Sequence, residues 1–299
     1  MNQRLEACGP CDTTSCRPRS RPGGQPRSAS TRRILALLLA SFLVAACGTA
    51  HATPEPVALT VAASGGALPL ANDLASAYMA AHPNVTVDVQ PVGSALAAIQ
   101  RVDSGQAGLA FSTLAPGDDH LSPLATTQVA WDALALVVHP DNPLSHLTSD
   151  QVRQVFTGRV RNWSDLNAGD GIIQVLSREK GSGARAAFDD SLMEGREVTS
   201  TALIMPGSRQ MLERVVADRQ AIGYLSAAWL DSGVKAVPLD GSEARWITVQ
   251  TASYPLLEPV FAVTMDPPGP QTARFLEFVA GPTGRSIAAE DYRPIPVDR

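Results

Sequence analysis

Between Arg178 and Arg185 the chain reads Arg-Glu-Lys-Gly-Ser-Gly-Ala-Arg, a dense run of polar chemistry. An apolar run, Ile172 to Leu176, leads in, and a helix-compatible run, Ala184 to Met193, leads out. A strand, a glycine-rich turn and a helix start leave several backbone N–H groups without intrahelical acceptors, aimed at one point beside the positive end of the helix dipole. Ser182 supplies a hydroxyl. Arg178 supplies a planar fork that can grip two oxygens of a carboxylate, sulfate or phosphate. The stretch reads as an oxyanion cradle; a glycine-rich turn with exposed charges fits the spacing as well. No G-x-x-x-x-G-K-[ST] and no strand followed by G-x-G-x-x-G occurs, which argues against a nucleotide site.

Other chemistries find less support. Ser182 has Lys180 nearby, but no G-x-S-x-G elbow surrounds it and no carboxylate pair stands out among the surface acids, so the chain is read as a binder and not an enzyme. The five histidines are scattered. Cys8 and Cys11 form C-x-x-C with Cys16 close by, yet that segment has no histidine and no fourth cysteine. Neither a metal nor a cofactor is expected.

The elements that must position the cradle alternate. Strands are expected at Val57 to Ala62, Val85 to Val89, Leu109 to Phe111, Asp132 to His139, Ile172 to Leu176, Ala221 to Leu225, Lys235 to Pro238 and Pro259 to Thr264. Helices are expected at Pro69 to Ala81, Ala95 to Asp103, Ala184 to Met193, Arg209 to Ala217 and, closing the chain, Thr272 to Ala280. Thr148 and Gln151 form a capping box for a helix running to Phe156. This alternation argues for an α/β protein with parallel or mixed sheets. Asp132 to Pro140 and Tyr254 to Thr264 are extended, apolar and flanked by proline, and they bracket the middle third of the chain. They read as connections between two lobes, with a ligand cleft between.

The N-terminus suggests export. Residues 1–31 are rich in Arg, Pro, Ser and Gly and read as a disordered leader or a misplaced start. Arg32-Arg33 then precede an apolar run, Ile34 to Ala46, too short to span a bilayer and matching the core of a secretory signal. Val44-Ala45-Ala46-Cys47 resembles a bacterial lipobox, which implies cleavage before Cys47, lipid attachment to its thiol and a membrane-tethered, extracytoplasmic domain. The alternative is an ordinary signal peptide with an incidental cysteine. Residues 1–46 hold seven arginines and two acids, so the remainder has 17 basic and 27 acidic residues, a charge of about −10. Such a chain has no general basic surface for nucleic acid and no overall field to draw in anions, so capture must be local.

The chain resembles the PstS-like family, the substrate-binding lipoproteins of phosphate ABC transporters, across nearly all of residues 57–299. Besides the cradle, Phe156 to Asp165 (F-T-G-R-V-R-N-W-S-D), Ala221 to Ser226 (A-I-G-Y-L-S) and Ser253 to Leu256 (S-Y-P-L) occur in the family's order. The resemblance implies a type II periplasmic-binding-protein fold: two α/β lobes joined by two crossing hinge strands, closing on a dehydrated tetrahedral anion in an inter-lobe cleft. It divides the chain into leader and signal (1–46), tether (47–56), one lobe (57–133 with 258–299) and a second lobe (134–257). The implied partners are phosphate, permease subunits and the membrane through Cys47.

Carried over residue by residue, the family's site falls on Ser64 and Gly65, Ser94, Thr113, Arg178, Ser182, Gly183 and Ala184. Ala184 keeps a backbone N–H where the family has a threonine. Gly65 replaces a common hydroxyl residue. Gly93-Ser94-Ala95-Leu96-Ala97 keeps the serine but loses later glycines. Thr113 stands where many members have an aspartate that accepts the proton of hydrogen phosphate. A threonine there discriminates less sharply against fully ionised sulfate. Arg185 is read as a rim or inter-lobe charge, and Trp163 and Tyr224 as packing. The departures keep open a binder of another oxyanion such as sulfate or molybdate, or a sensor lipoprotein with a weakened site.

Overall fold

A computed structural model describes residues 57–117, 123–245 and 254–295. The leader, the signal, Cys47, the tether and Ser253 of the S-Y-P-L motif lie outside the described residues.

Three parallel strands begin the fold: β1 (Val57–Ser64) pairs on one side with β2 (Val85–Val92) and on the other with β3 (Leu109–Ser112). The crossovers are α1 (Leu68–Ala81) and α2 (Ala95–Asp103), as expected for strands that can be joined only over a sheet face. β4 (Leu124–Val138) is twice the length the sequence suggested, because its first half, Leu124 to Trp131, mixes exposed threonines with a bulge between Gln128 and Ala130 and lacks a clean alternation. That half pairs antiparallel with β9 (Leu257–Met265), which in turn pairs with β3. β4 then leaves this sheet: from Leu134 onward it pairs with β7 (Ala221–Ser226), and from Leu136 also with β8 (Lys235–Val237).

β7 neighbours β5 (Gln174–Arg178), which pairs in parallel with β6 (Leu203–Met205). Helices α3 (Ser149–Phe156), α4 (Gly183–Phe188) and α5 (Ser208–Ala217) belong to this half. The capping box is present: the Thr148 hydroxyl accepts from the Gln151 amide, and the Gln151 side chain accepts from the Thr148 amide. Two readings required correction. The run Ala184 to Met193 is not one α-helix; α4 stops at Phe188 and a π-helical turn, Asp189–Met193, follows. Nor does the expected last helix end the chain: α6 (Pro270–Ala280) is followed by α7 (Pro282–Asp291) and a two-residue strand, β10 (Arg293–Pro294), on β4. Gly281 and Pro282 break the helical path, and Pro282 then starts the new helix in the first turn, where a missing N–H costs nothing.

The buried residues sort into cores that follow these sheets. One runs from Ala133 to Leu256 and centres on Phe156, Trp163, Phe188 and Tyr224. Two others combine residues up to Ala130 with residues after Val260, including Phe111, Phe275 and Tyr292. Two α/β lobes therefore meet along β4 and β9. Trp163 and Tyr224 are core residues, as read. Tyr224 stacks on Phe188 with centroids 4.2 Å apart and a 4° interplanar angle, and its hydroxyl meets Ser177 Oγ at 3.0 Å.

Phe188→Ala empties the centre of that core and leaves Tyr224 without its stacking partner. The expected loss is about 3–5 kcal/mol of stability, measured as a drop in the denaturant midpoint with unchanged slope.

Candidate functional site

The cradle lies at the end of β5, facing the ends of β1, β2 and β3. Ser182 takes the N-cap position of α4, but its hydroxyl makes no capping bond. Among the described residues, no acceptor meets the amides of Gly183 and Ala184. These are the orphan donors expected from a strand–turn–helix junction. Ser182, Gly183 and Ala184 are all buried.

The opposite lobe closes directly on this turn. A side chain at Gly183 would overlap the hydroxyl and carbonyl of Thr113, so only glycine lets the turn approach the end of β3. The Leu96 amide donates to Gly181 O at 3.3 Å across the same gap. Trp229 Nε1 donates to Gly65 O at 2.7 Å, and Gly65 packs against Ser208 at the start of α5. A cleft of about 290 Å³, lined by Gly65, Gly93, Pro206, Ser208, Arg209 and Trp229, opens beside this contact.

Arg178 is 3% exposed. Its Nε donates to Met205 O at 2.9 Å, and its Nη2 donates to Gly93 O at 2.9 Å and Pro206 O at 3.2 Å. Arg178 thus ties the cradle to the turn before α5 and to the lobe that carries Gly93. Nη1 makes none of these bonds. Ser64, at the end of β1, is also buried, and its Oγ has no hydrogen-bond partner. Ser94 caps α2, accepting from the Ala97 amide at 3.1 Å, and stands beside Gly181. Thr113 and Arg178 thereby meet Ser182, Gly183 and Ala184 where the lobes join, Ser94 stands beside Gly181, and Ser64 ends β1 with Gly65 following it.

Arg185 is no rim charge. It is buried behind the cradle, where Nε donates to Asp189 at 2.7 Å and Nη1 donates to Ser177 Oγ at 3.3 Å and Arg178 O at 3.2 Å. Placed one turn into α4, it braces the strand end from within its own lobe.

The sequence reading missed two acids. Asp132 on β4 and Glu258 on β9 stand directly opposite each other in the ladder, both fully buried, and none of their four carboxylate oxygens has a hydrogen-bond partner. Glu258 Oε1 lies 2.7 Å from where a Cβ on Gly66 would stand, and the Thr113 methyl is 3.4 Å from the same point. Burial pushes the Glu258 carboxyl up to about 7, although the Thr113 hydroxyl, the Arg178 charge and Asp132 favour its ionised form; neither neighbour reaches regular hydrogen-bonding geometry. Burial also raises Asp132 well above the carboxylate range, and the Glu258 charge raises it further. The signal was a single acid in each of two otherwise apolar stretches, Trp131-Asp132-Ala133 and Leu256-Leu257-Glu258-Pro259-Val260.

A family model described as a PBP superfamily domain matches residues 49–283. The phosphate-binding protein PstS of Bacillus subtilis is 28% identical over 284 residues, covering 88% of this chain and 93% of its own. PstS of Pseudomonas aeruginosa is 27% identical over 253 residues, 74% of this chain and 78% of its own. Among solved structures, a putative phosphate ABC transporter substrate-binding protein from Clostridium perfringens with bound phosphate matches at TM-score 0.74 and 28% identity, over 80% of this chain and 100% of that one. An ABC-type phosphate transport receptor from Vibrio cholerae matches at TM-score 0.61 and 28% identity with the same coverage.

A carboxyl whose pKa is raised by folding disfavours its ionised form in the fold. Wild-type stability therefore falls as pH rises from the ordinary value, 4.5, through about 7. Glu258→Gln removes that titration. Its stability relative to wild type should improve by on the order of 3 kcal/mol between pH 4.5 and pH 8, read from denaturant midpoints at both values.

Proposed function

The chain belongs to the PBP superfamily, and from that membership we propose that it captures inorganic phosphate outside the cytoplasm and delivers it to the permease of an ABC transporter. The observation that carries this reading is the burial of Arg178 at the lobe junction, on the strand that leads into the free amides of Gly183 and Ala184, with the buried Ser64 hydroxyl left unpaired at the end of β1. Its relatives named as phosphate-binding proteins, and the solved neighbour that holds phosphate, support the choice of ligand.

The anion enters while the lobes are apart. One side meets Ser64 and the amides after it; the other meets the cradle and the free Nη1 of Arg178. Closure removes water, which strengthens each charge-assisted bond to the anion. Because the lobes are joined along β4 and β9, opening and closing turn on those two strands. Binding and release suffice for this role; no bond in the ligand is made or broken, and hydrolysis of nucleotide belongs to a different subunit. Delivery follows when the closed form docks on the permease and opens there.

Calorimetry on a domain beginning after Cys47, with phosphate, sulfate, arsenate and molybdate, tests the reading. Phosphate is expected to bind at micromolar concentration or below, and silence toward every anion favours the sensor reading instead. Arg178→Ala should weaken phosphate at least 100-fold, roughly 3 kcal/mol. Arg185→Ala should lower the melting temperature more than it lowers affinity, because it braces the fold behind the cradle. Equal, small losses in affinity for both would remove Arg178 from its assigned role.

Export and anchoring follow from the lipobox-like segment. Cys47→Ala should shift the protein from the detergent-soluble membrane fraction to the aqueous one without changing phosphate affinity, as read by phase partitioning and calorimetry.

A further inference from the structure

Glu258 is a polar side chain with no fold-internal partner, set where the lobes meet. Around it stand Gly66 from the turn after β1, Thr113 from the end of β3, Asp132 from β4 and Arg178 from β5. Ser226 at the end of β7 and the Ala133 amide favour the Asp132 anion, and the Asp291 charge opposes it from α7. Tyr292 donates its hydroxyl to Gly66 O at 3.0 Å and so fixes the turn against which Glu258 rests. An unpaired carboxylate in this position is costly unless something else occupies its oxygens.

Two buried carboxyls side by side cannot both ionise, so the pair keeps at least one proton in the pH range where Arg178 alone offers a nearby positive charge. A ligand that carries its own proton suits such a pair. An O–H on the anion donates to ionised Glu258, or protonated Glu258 donates to an anion oxygen. Either way one proton lies between two oxygens, and no other bond changes. A fully ionised anion fits only the second arrangement.

We propose that Glu258 contacts the bound anion, shares one proton with it, and thereby selects protonatable oxyanions over fully ionised ones, with Asp132 positioning it from across the ladder. The inference rests on the phosphate-binding reading above and names the residue that sets its specificity. It also replaces the weak discrimination expected from Thr113: the acid missing after β3 is supplied from β9.

The test uses the wild-type domain and Glu258→Gln, with phosphate and sulfate as probes from pH 5.5 to pH 8. Wild type should bind sulfate at pH 5.5 and lose at least tenfold of that affinity by pH 8, while phosphate affinity changes less. Glu258→Gln has an amide that donates at every pH. It should bind sulfate with a flat pH profile and lose most of its preference for phosphate. Asp132→Asn, which removes the neighbouring carboxyl from the ladder, should shift the pH at which sulfate affinity falls, and an unshifted profile removes Asp132 from the positioning role.

Sulfate affinity in wild type that is flat with pH, or absent at pH 5.5, overturns the proposal without any variant and covers the case in which Glu258→Gln fails to fold. A folded Glu258→Gln that keeps the wild-type preference overturns it as well, while leaving phosphate binding intact. Wild type that ignores phosphate at every pH overturns the functional reading and this inference with it.

Discussion

The antiparallel ladder between β4 and β9 is the constraint on which the rest of the structure depends. Each strand is shared: β4 belongs to one sheet up to Ala133 and to the other from Leu134, while β9 joins β3 to β4. A ladder tolerates twist and bending far better than slippage, since a one-residue slip would turn every buried side chain outward. The lobes therefore keep a fixed axis. Whatever sits on the ladder at the crossing keeps its place when they part, and Asp132 and Glu258 sit there.

Everything else at the junction is carried by loops at strand ends. Gly183 on one side and Thr113 on the other approach so closely that no side chain fits between them, and Arg178 reaches across to Gly93 O. The described arrangement is thus a shut one, held by backbone contacts of modest individual strength. Such contacts yield more readily than a packed core, and the cores on either side stay separate. Closure without fusion is the condition for releasing a ligand.

Much of this was legible in the sequence, for physical reasons. α2 (Ala95–Asp103) and the Thr148 capping box are specified by neighbours three and four residues away, and both form as read. The strand–turn–helix junction at Arg178 to Ala184 was legible because glycine and serine between an apolar run and a helix-compatible run mark a turn and a helix start. The first half of β4 was obscure because its ladder partner, β9, lies far along the chain and its positions Thr126 and Thr127 are exposed. The π-helical turn after Phe188 escaped for a related cause: Phe188, where α4 ends, is held by Phe156 and Tyr224 from distant parts of the chain. Arg185 misled because an arginine beside a polar loop looks solvated, whereas the half-buried Asp189 one turn further, with Ser177 and the Arg178 carbonyl, holds it in the interior. The acid pair could not be seen as a pair, since only register places Asp132 opposite Glu258. Of the junction as a whole, the strand–turn–helix segment was readable and the acids facing each other across the ladder were not.

The hydroxyl of Tyr292 holds Gly66, 226 residues earlier in the chain, and Glu258 also arrives late. One core draws its buried residues from Ala133 to Leu256, while the other combines residues up to Ala130 with residues from Val260 onward, so the junction between them takes parts from both ends of the described chain. The turn that Glu258 rests against is thus secured only once the segment carrying Tyr292 is in place.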